Sequence, residues 1–205
     1  MERKKENLEG KNIIVYDLEI ANSIDKSKGI GWKDHDKMGL SVGALYDYET
    51  GDYTVYFNST DDIQRLCGRI NRAALVVAFN HIGFDNKLLR AIGGDLKPDS
   101  ELKNYDMLLE SRKAAHSTPF KPGFKLDQHL EATFGQQFKK TAHGELAPIW
   151  WQEGRKGEVT SYCLADVRRE KSLFEYIWEN GGAKTMAYGF KKFELGAIEF
   201  AVNAL

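Results

Sequence analysis

The sequence predicts an α/β domain in which a mixed β-sheet carries helices on its faces. Two observations point there. A β-branched apolar segment near the N-terminus leads into a hairpin pattern, and after it apolar runs of strand length alternate with helix-period segments. Strands joined by tight turns pair antiparallel, whereas strands linked through helices return parallel by right-handed crossovers and lie beside the first. Length is compatible with one domain, since 205 residues bury about 70–75% of the surface the unfolded chain exposes.

Residues 1–10 read as a polar lead-in, and 11–205 as the domain. Asn12 to Glu19 is apolar, β-branched and short, which favours a strand over a helix. Residues 22–38 are polar, contain Gly29 and Gly31, and predict a long loop. Leu40 to Tyr48 and Tyr53 to Phe57, joined by Glu49-Thr50-Gly51-Asp52, form a hairpin pattern. A helix from Asp61 to Asn71 follows, capped by Ser59 or Thr60, with Ile63, Leu66, Cys67 and Ile70 on one stripe.

Leu75 to Phe79 is apolar enough for a strand covered on both faces. Phe84 to Ile92 predicts a short helix stopped by Gly93-Gly94. Tyr105 to Leu109 reads as a further strand. Lys125 to Phe134 and Glu158 to Glu179 read as helices, the second closed by Gly181-Gly182. The last 20 residues are expected to be extended, with a break at Tyr188-Gly189.

Composition narrows the function classes. Lys and Arg number 29 against 30 Asp and Glu, a formal charge of −1, which argues against a protein that coats nucleic acid by charge alone. The longest apolar run, Ala73 to Phe79, has seven residues, against roughly 20 needed to span a bilayer. The charged segment Met1 to Asn7 precedes no apolar stretch of signal-peptide type, so a cytoplasmic location is expected. Cys67 and Cys163 are the two cysteines. They form no CxxC and read as small buried hydrophobes in a reducing compartment.

The carboxylates carry the chemistry. Asp17 and Glu19 lie two apart on the first strand and therefore share a face. Two acids beside a core demand an opposite charge, hydrogen bonds or a cation, unless the strand has simply ended and both are solvated. Asp85 follows the most apolar strand in Asn80-His81-Ile82-Gly83-Phe84-Asp85, the strand-end position where open sheets gather ligands. Its alternative is an acid in a helix's first turn. Tyr162 and Asp166 share one face of the long C-terminal helix at i, i+4. A surface Tyr–Asp pair is the other reading. Taken together, convergent carboxylates repel one another unless divalent cations neutralise them. Oxygen ligands without a Cys/His cluster favour Mg²⁺ or Mn²⁺ over zinc. Two such ions about 3.5–4 Å apart suit in-line attack on a phosphodiester.

The segments Tyr16-Asp17-Leu18-Glu19, Asn80 to Asp85 and Tyr162 to Asp166 resemble the three motifs of the DEDD, or DnaQ-like, exonucleases: DxE, Nx₂₋₃(F/Y)D and Yx₃D. The tyrosine marks the DEDDy branch, and the middle motif looks most like that of family-B DNA polymerase proofreading domains. The resemblance spans roughly residues 12–180 and implies an RNase H-like fold with a central five-stranded mixed sheet. It implies that Asp17, Glu19, Asp85 and Asp166 hold two divalent ions, Mg²⁺ or Mn²⁺. Asp17 would bridge both, Glu19 and Asp166 would complete one, and Asp85 would hold the other, largely through water. Tyr162 would orient the attacking water, a phenol with pKa near ~10 being a poor base at neutral pH. Leu18 would wedge near the terminal base, and Asn80 and Phe84 would shape the 3′-end pocket.

Two departures from the pattern stand out. Asn22 to Lys37 is longer than a minimal proofreading domain needs, and it interleaves Lys26, Lys28, Lys33, His35 and Lys37 with Trp32. That is the composition of a strand-gripping loop and equally of an ordinary solvated one. No polymerase segment follows before Leu205, so a stand-alone nuclease or detached proofreading subunit is expected, with a polymerase or another replication or repair protein as partner.

Other residues read as structural first. Arg168-Arg169, Lys171, Lys139-Lys140 and Arg155-Lys156 suit a solvated face as well as phosphate contacts. His81 and Trp150-Trp151 read as packing, and Asp106 as a neighbour of the site. The expected activity is metal-dependent 3′→5′ hydrolysis of single-stranded or unpaired DNA ends, releasing nucleoside 5′-monophosphates. RNA is an equal candidate, because no motif here records contacts to the 2′ position. The alternatives are a non-catalytic RNase H-like binding or adaptor module and a structure-specific endonuclease on the same fold.

Overall fold

The computed structural model describes residues 6–118, 121–138 and 144–204. Its centre is a five-stranded mixed sheet of order β3-β2-β1-β4-β5, an RNase H-like arrangement. β1 (Ile13–Ile20), β2 (Leu40–Asp47) and β3 (Asp52–Phe57) pair antiparallel. β4 (Leu75–Ala78) returns parallel beside β1, and β5 (Asn104–Asp106) lies parallel beside β4. The β2–β3 turn carries Gly51 at φ 75°, a left-handed conformation that glycine adopts without steric cost.

Alternation along the strands sorts the core into two layers. Ile13 and Val15 join Val42, Ala44, Leu75 and Val77 beneath α7 (Lys156–Asn180), whose Val159, Cys163, Val167, Phe174 and Ile177 are buried. Ile14, Tyr16 and Leu18 face the other way, against Leu66, Cys67 and Ile70 of α2 (Thr60–Arg72) and Leu88 and Leu89 of α3 (Asp85–Ala91). Covered on both sides, β2 is buried throughout. Ser59 caps α2, its Oγ accepting from the Asp62 N–H at 3.2 Å. α7 ends at Gly181, φ 77°. Both cysteines are free and buried.

Within 22–38, Lys26–Lys28 form one 3₁₀ turn and α1 (His35–Met38) a single helical turn. Three further helices escaped the sequence reading. β5 stops at Asp106 because its carboxylate accepts from the N–H groups of Leu108 and Leu109, starting α4 (Met107–Ala114). α5 (Leu126–Phe134) matches expectation, and α6 (Ala147–Gln152) is a short helix with proline in its first turn. The C-terminal segment is extended only in part. β6 (Gly182–Thr185) pairs with β7 (Tyr188–Lys192), so Tyr188 opens a strand rather than a break, and α8 (Gly196–Asn203) packs beside β4 and β5. No helix of the described residues is long and apolar enough to cross a membrane.

Candidate metal centre

β1 and α7 build the centre together. Asp17 lies opposite Ala44 and Glu19 opposite Val42 on β2, small or apolar neighbours that leave room for the helix above. Cys163 lets α7 come close, its thiol donating to the Asp17 carbonyl at 3.3 Å. A register shift falls between Glu19 and Ile20, where the Ser41 hydroxyl donates to the Glu19 carbonyl at 2.8 Å. Bulges of this kind re-aim side chains at strand ends. On α7, Tyr162, Asp166 and Glu170 recur every fourth residue and all are buried.

The result is a compact acidic group. Oxygens of Asp17, Glu19 and Asp166 lie within 4.8 Å of one another, with Glu19 and Asp166 buried and Asp17 half-buried. Burial pushes the Asp17 carboxyl well up, and the charges of Glu19, Glu170, Asp166 and Asp85 push it further. Arg169 donates to Asp166 Oδ1 at 2.8 Å.

Asp85 stands beside this trio rather than within it. It opens α3, buried, and its carboxyl is pushed up to about 7 by burial and by Asp106, while the N–H groups of Asp85 itself and of Leu18 oppose the shift. A polar chain pins α3 to β1. The Tyr16 hydroxyl donates to Asn86 Oδ1 at 2.5 Å, Asn86 donates to Asp99 at 2.7 Å, and Arg90 pairs with Asp99 at 2.8 Å.

Of the remaining expected residues, Tyr162 lies near this centre, Leu18 and Phe84 line an adjoining groove, and Asn80 forms the turn before α3. Tyr162 is buried one turn before Asp166, edge-on to the Trp150 ring at 6.1 Å, with its hydroxyl beside Gly144. Leu18 is buried on the opposite face of β1 from the acids, tight over Gly43, where an added Cβ would meet its Cδ2 at 2.9 Å. Its edge, with Glu19 and Phe84, lines a groove of about 630 Å³. Asn80 sits at φ 69° and its carbonyl accepts from the Phe84 N–H at 3.0 Å, turning the chain into α3. That places Asn80 as the shaper of the turn.

Among solved structures, the family B DNA polymerase from the hyperthermophilic archaeon Pyrobaculum calidifontis is similar, with a TM-score of 0.57 at 16% identity. The match covers 80% of this chain and 24% of the polymerase. The likeness is one of fold. The chain thus spans about a quarter of that polymerase's length. No protein-family model matches the chain, and no curated protein matches it by sequence.

Glu170 was not singled out from the sequence. It is 2% exposed, and its Oε2 has no hydrogen-bond partner among the described residues. Burial raises its carboxyl well above the usual range, helped by Asp85 and Asp166 and opposed by the Phe79 N–H. Its i+4 spacing from Asp166 was the available signal, masked by Arg169 and Lys171 on either side.

His81 and the Trp150-Trp151 pair are packed as expected, whereas Arg169, expected on a solvated face, is shielded against Asp166. His81 is fully buried, its Nε2 3.0 Å from Asn104 Oδ1. Asp106 binds the N–H groups of Asn80 and Ile82 as well as capping α4. Trp150 and Trp151 are partly buried against the core, with Arg155 and Lys156 over their faces. Lys139-Lys140 lies outside the described residues.

Chemically, the donor set fits hard divalent cations. Carboxylates forced together raise one another's pKa, and positive charge placed among them reverses that cost. All-oxygen ligation suits Mg²⁺ or Mn²⁺. Among the described residues, Asp17, Glu19 and Asp166 form the group that could hold one ion directly.

Proposed function

We propose that this chain is a metal-dependent 3′→5′ exonuclease of the DEDDy type, acting on unpaired 3′ ends of DNA or RNA. The observation that carries the reading is the convergence of Asp17, Glu19 and Asp166 from β1 and α7, with ligand atoms within 4.8 Å. The fold likeness to a DNA polymerase supports it, as does the groove that Glu19 helps to line. Residues 11–205 act as one domain in this reading, with a polymerase or repair protein as the partner that delivers ends.

Asp17, Glu19 and Asp166 would hold the ions, and Asp85 on α3 would assist with the second. When bound, two ions supply Lewis-acid polarisation of the phosphate and lower the pKa of water. Tyr162 orients the attacking water. Leu18 and Phe84 form the walls against the last nucleotide, and Asn80 sets the turn that presents Phe84. Hydrolysis adds water across the terminal P–O3′ bond, leaving the phosphate on the released nucleotide and a hydroxyl on the shortened strand.

The test incubates the purified protein with 5′-labelled DNA and RNA oligomers, with and without Mn²⁺. Stepwise shortening that needs the ion and disappears in Asp17→Ala and Asp166→Ala is expected. Undiminished activity in both variants removes the assignment. A circular single strand should survive, and its cleavage would mean an endonuclease. Calorimetry showing no divalent-ion binding would leave only an adaptor on the same fold.

A further inference from the structure

We propose that Trp32 is a stacking platform that holds one base of the unpaired strand over the groove leading to Glu19. The inference rests on the strand-binding part of the reading above and adds a residue from outside its motifs. Trp32 is 69% exposed, the most exposed large apolar side chain among the described residues. A single exposed indole is ordinary by itself; what sets Trp32 apart is where it stands. It lines the same groove of about 630 Å³ as Leu18, Phe84 and Glu19, so whatever lies on it is continuous with the acidic centre.

The loop that bears Trp32 is braced rather than slack. Asp34 Oδ2 accepts from the Gly31 N–H at 2.7 Å, and Lys37 Nζ donates to the Gly29 carbonyl at 3.0 Å. At its base, Asn22 Nδ2 donates to the Lys37 carbonyl at 2.9 Å and Gln152 Nε2 to the Ala21 carbonyl at 2.8 Å. His35 meets the Phe84 ring at 5.5 Å, linking the loop to the groove's other wall. A loop fixed in advance loses little backbone entropy on binding.

Stacking rather than charge suits this surface. Lys28 and Lys37 are within 4 Å of Asp25 and Asp34, so much of the loop's positive charge is already balanced. Lys33, next to Trp32, is exposed, and Lys125 shares the groove lining with Glu19, Asp127 and Glu145, so charge alone would not hold a strand there. Every base offers a π-face, so such a platform tolerates any sequence and works in a chain of near-zero net charge.

The experiment measures binding of a labelled single-stranded 12-mer in Ca²⁺, which supports binding without the need for turnover. Wild type is compared with Trp32→Ala and Trp32→Phe, and a single abasic site is walked through the last four nucleotides. Trp32→Ala is expected to weaken binding about tenfold, within the usual worth of one stacked base. Trp32→Phe should recover most of that. One abasic position should cost wild type the same factor and cost Trp32→Ala nothing further, while melting temperatures stay equal. Equal binding by wild type and Trp32→Ala overturns the proposal. So does a loss in Trp32→Ala that no abasic position reproduces, the result expected if the indole acts by shaping its loop and stacks no base. Failure of the two readings is separable. Strand shortening without the abasic signature leaves the nuclease and removes the platform, and the signature without shortening does the reverse.

Discussion

Arg169 Nη1 donates to Asp166 Oδ1 at 2.8 Å, three residues along the same helix, with both side chains largely shielded from water. The guanidinium thus places positive charge on the edge of the acidic centre that a cation is proposed to fill. Removing it leaves a buried carboxylate less compensated. Arg169→Ala is expected to cost the metal-free protein about 1–3 kcal/mol, by urea unfolding with a chelator. In saturating Mn²⁺ the deficit should shrink below about 1 kcal/mol, and the variant should bind Mn²⁺ a few-fold more tightly. The same deficit with and without the ion would mean that Arg169 does not share Asp166 with it.

The pH dependence of the metal-free protein follows from the same crowding. Burial and neighbouring charge push the Asp17 and Glu170 carboxyls up, and Asp85 up to about 7. In the unfolded chain such groups titrate near ~4. A carboxyl raised by folding binds more protons in the native state. Its stabilising contribution is therefore present below the unfolded value and is lost as pH rises through the folded one. With a chelator, stability is expected to fall by on the order of 2–4 kcal/mol between about pH 4 and pH 8. Added Mn²⁺ should stabilise more at the upper end, because it binds the deprotonated ligands. A chelated protein whose stability holds level across that window would contradict the shifts.

Much of this was legible in the chain. Period-two alternation in Ile13 to Glu19 placed Ile13 and Val15 beneath α7 and put both acids on that face. Period-four spacing put Tyr162 and Asp166 on the buried side of α7. What escaped was set by tertiary contacts. Tyr105 to Leu109 is short and apolar, and periodicity cannot divide it between strand and helix; the Asp106 cap does. α8 is eight residues long and depends on packing rather than local preference. Glu170 reads as one more charge in a solvated run, and only the depth at which α7 lies on the sheet makes it a buried acid.

Glu170→Gln isolates that buried acid. Its Oε2 lacks a partner among the described residues, and Asp85 and Asp166 repel its charge. A neutral side chain of equal shape removes the repulsion where the carboxylate would otherwise have to ionise. The variant is expected to match wild type near pH 5 and to exceed it by about 1–2 kcal/mol above pH 8, both with a chelator. A profile that parallels wild type at every pH would show that Glu170 takes no part in the crowding.

Tyr162→Phe separates placement of water from capture of the ions. The ring is buried against Trp150, and its hydroxyl lies beside Gly144. Phenylalanine keeps those packing contacts and deletes only the oxygen, so the melting temperature should fall by no more than about 5 °C. If the hydroxyl orients the attacking water, its loss lowers the single-turnover shortening rate about 10- to 100-fold. Mn²⁺ affinity by calorimetry should be unchanged, since Asp17, Glu19 and Asp166 remain in place. An unchanged rate would assign Tyr162 to packing alone. A rate loss that tracks weaker ion binding would instead make the hydroxyl a support for the carboxylates, and higher Mn²⁺ would then restore the rate.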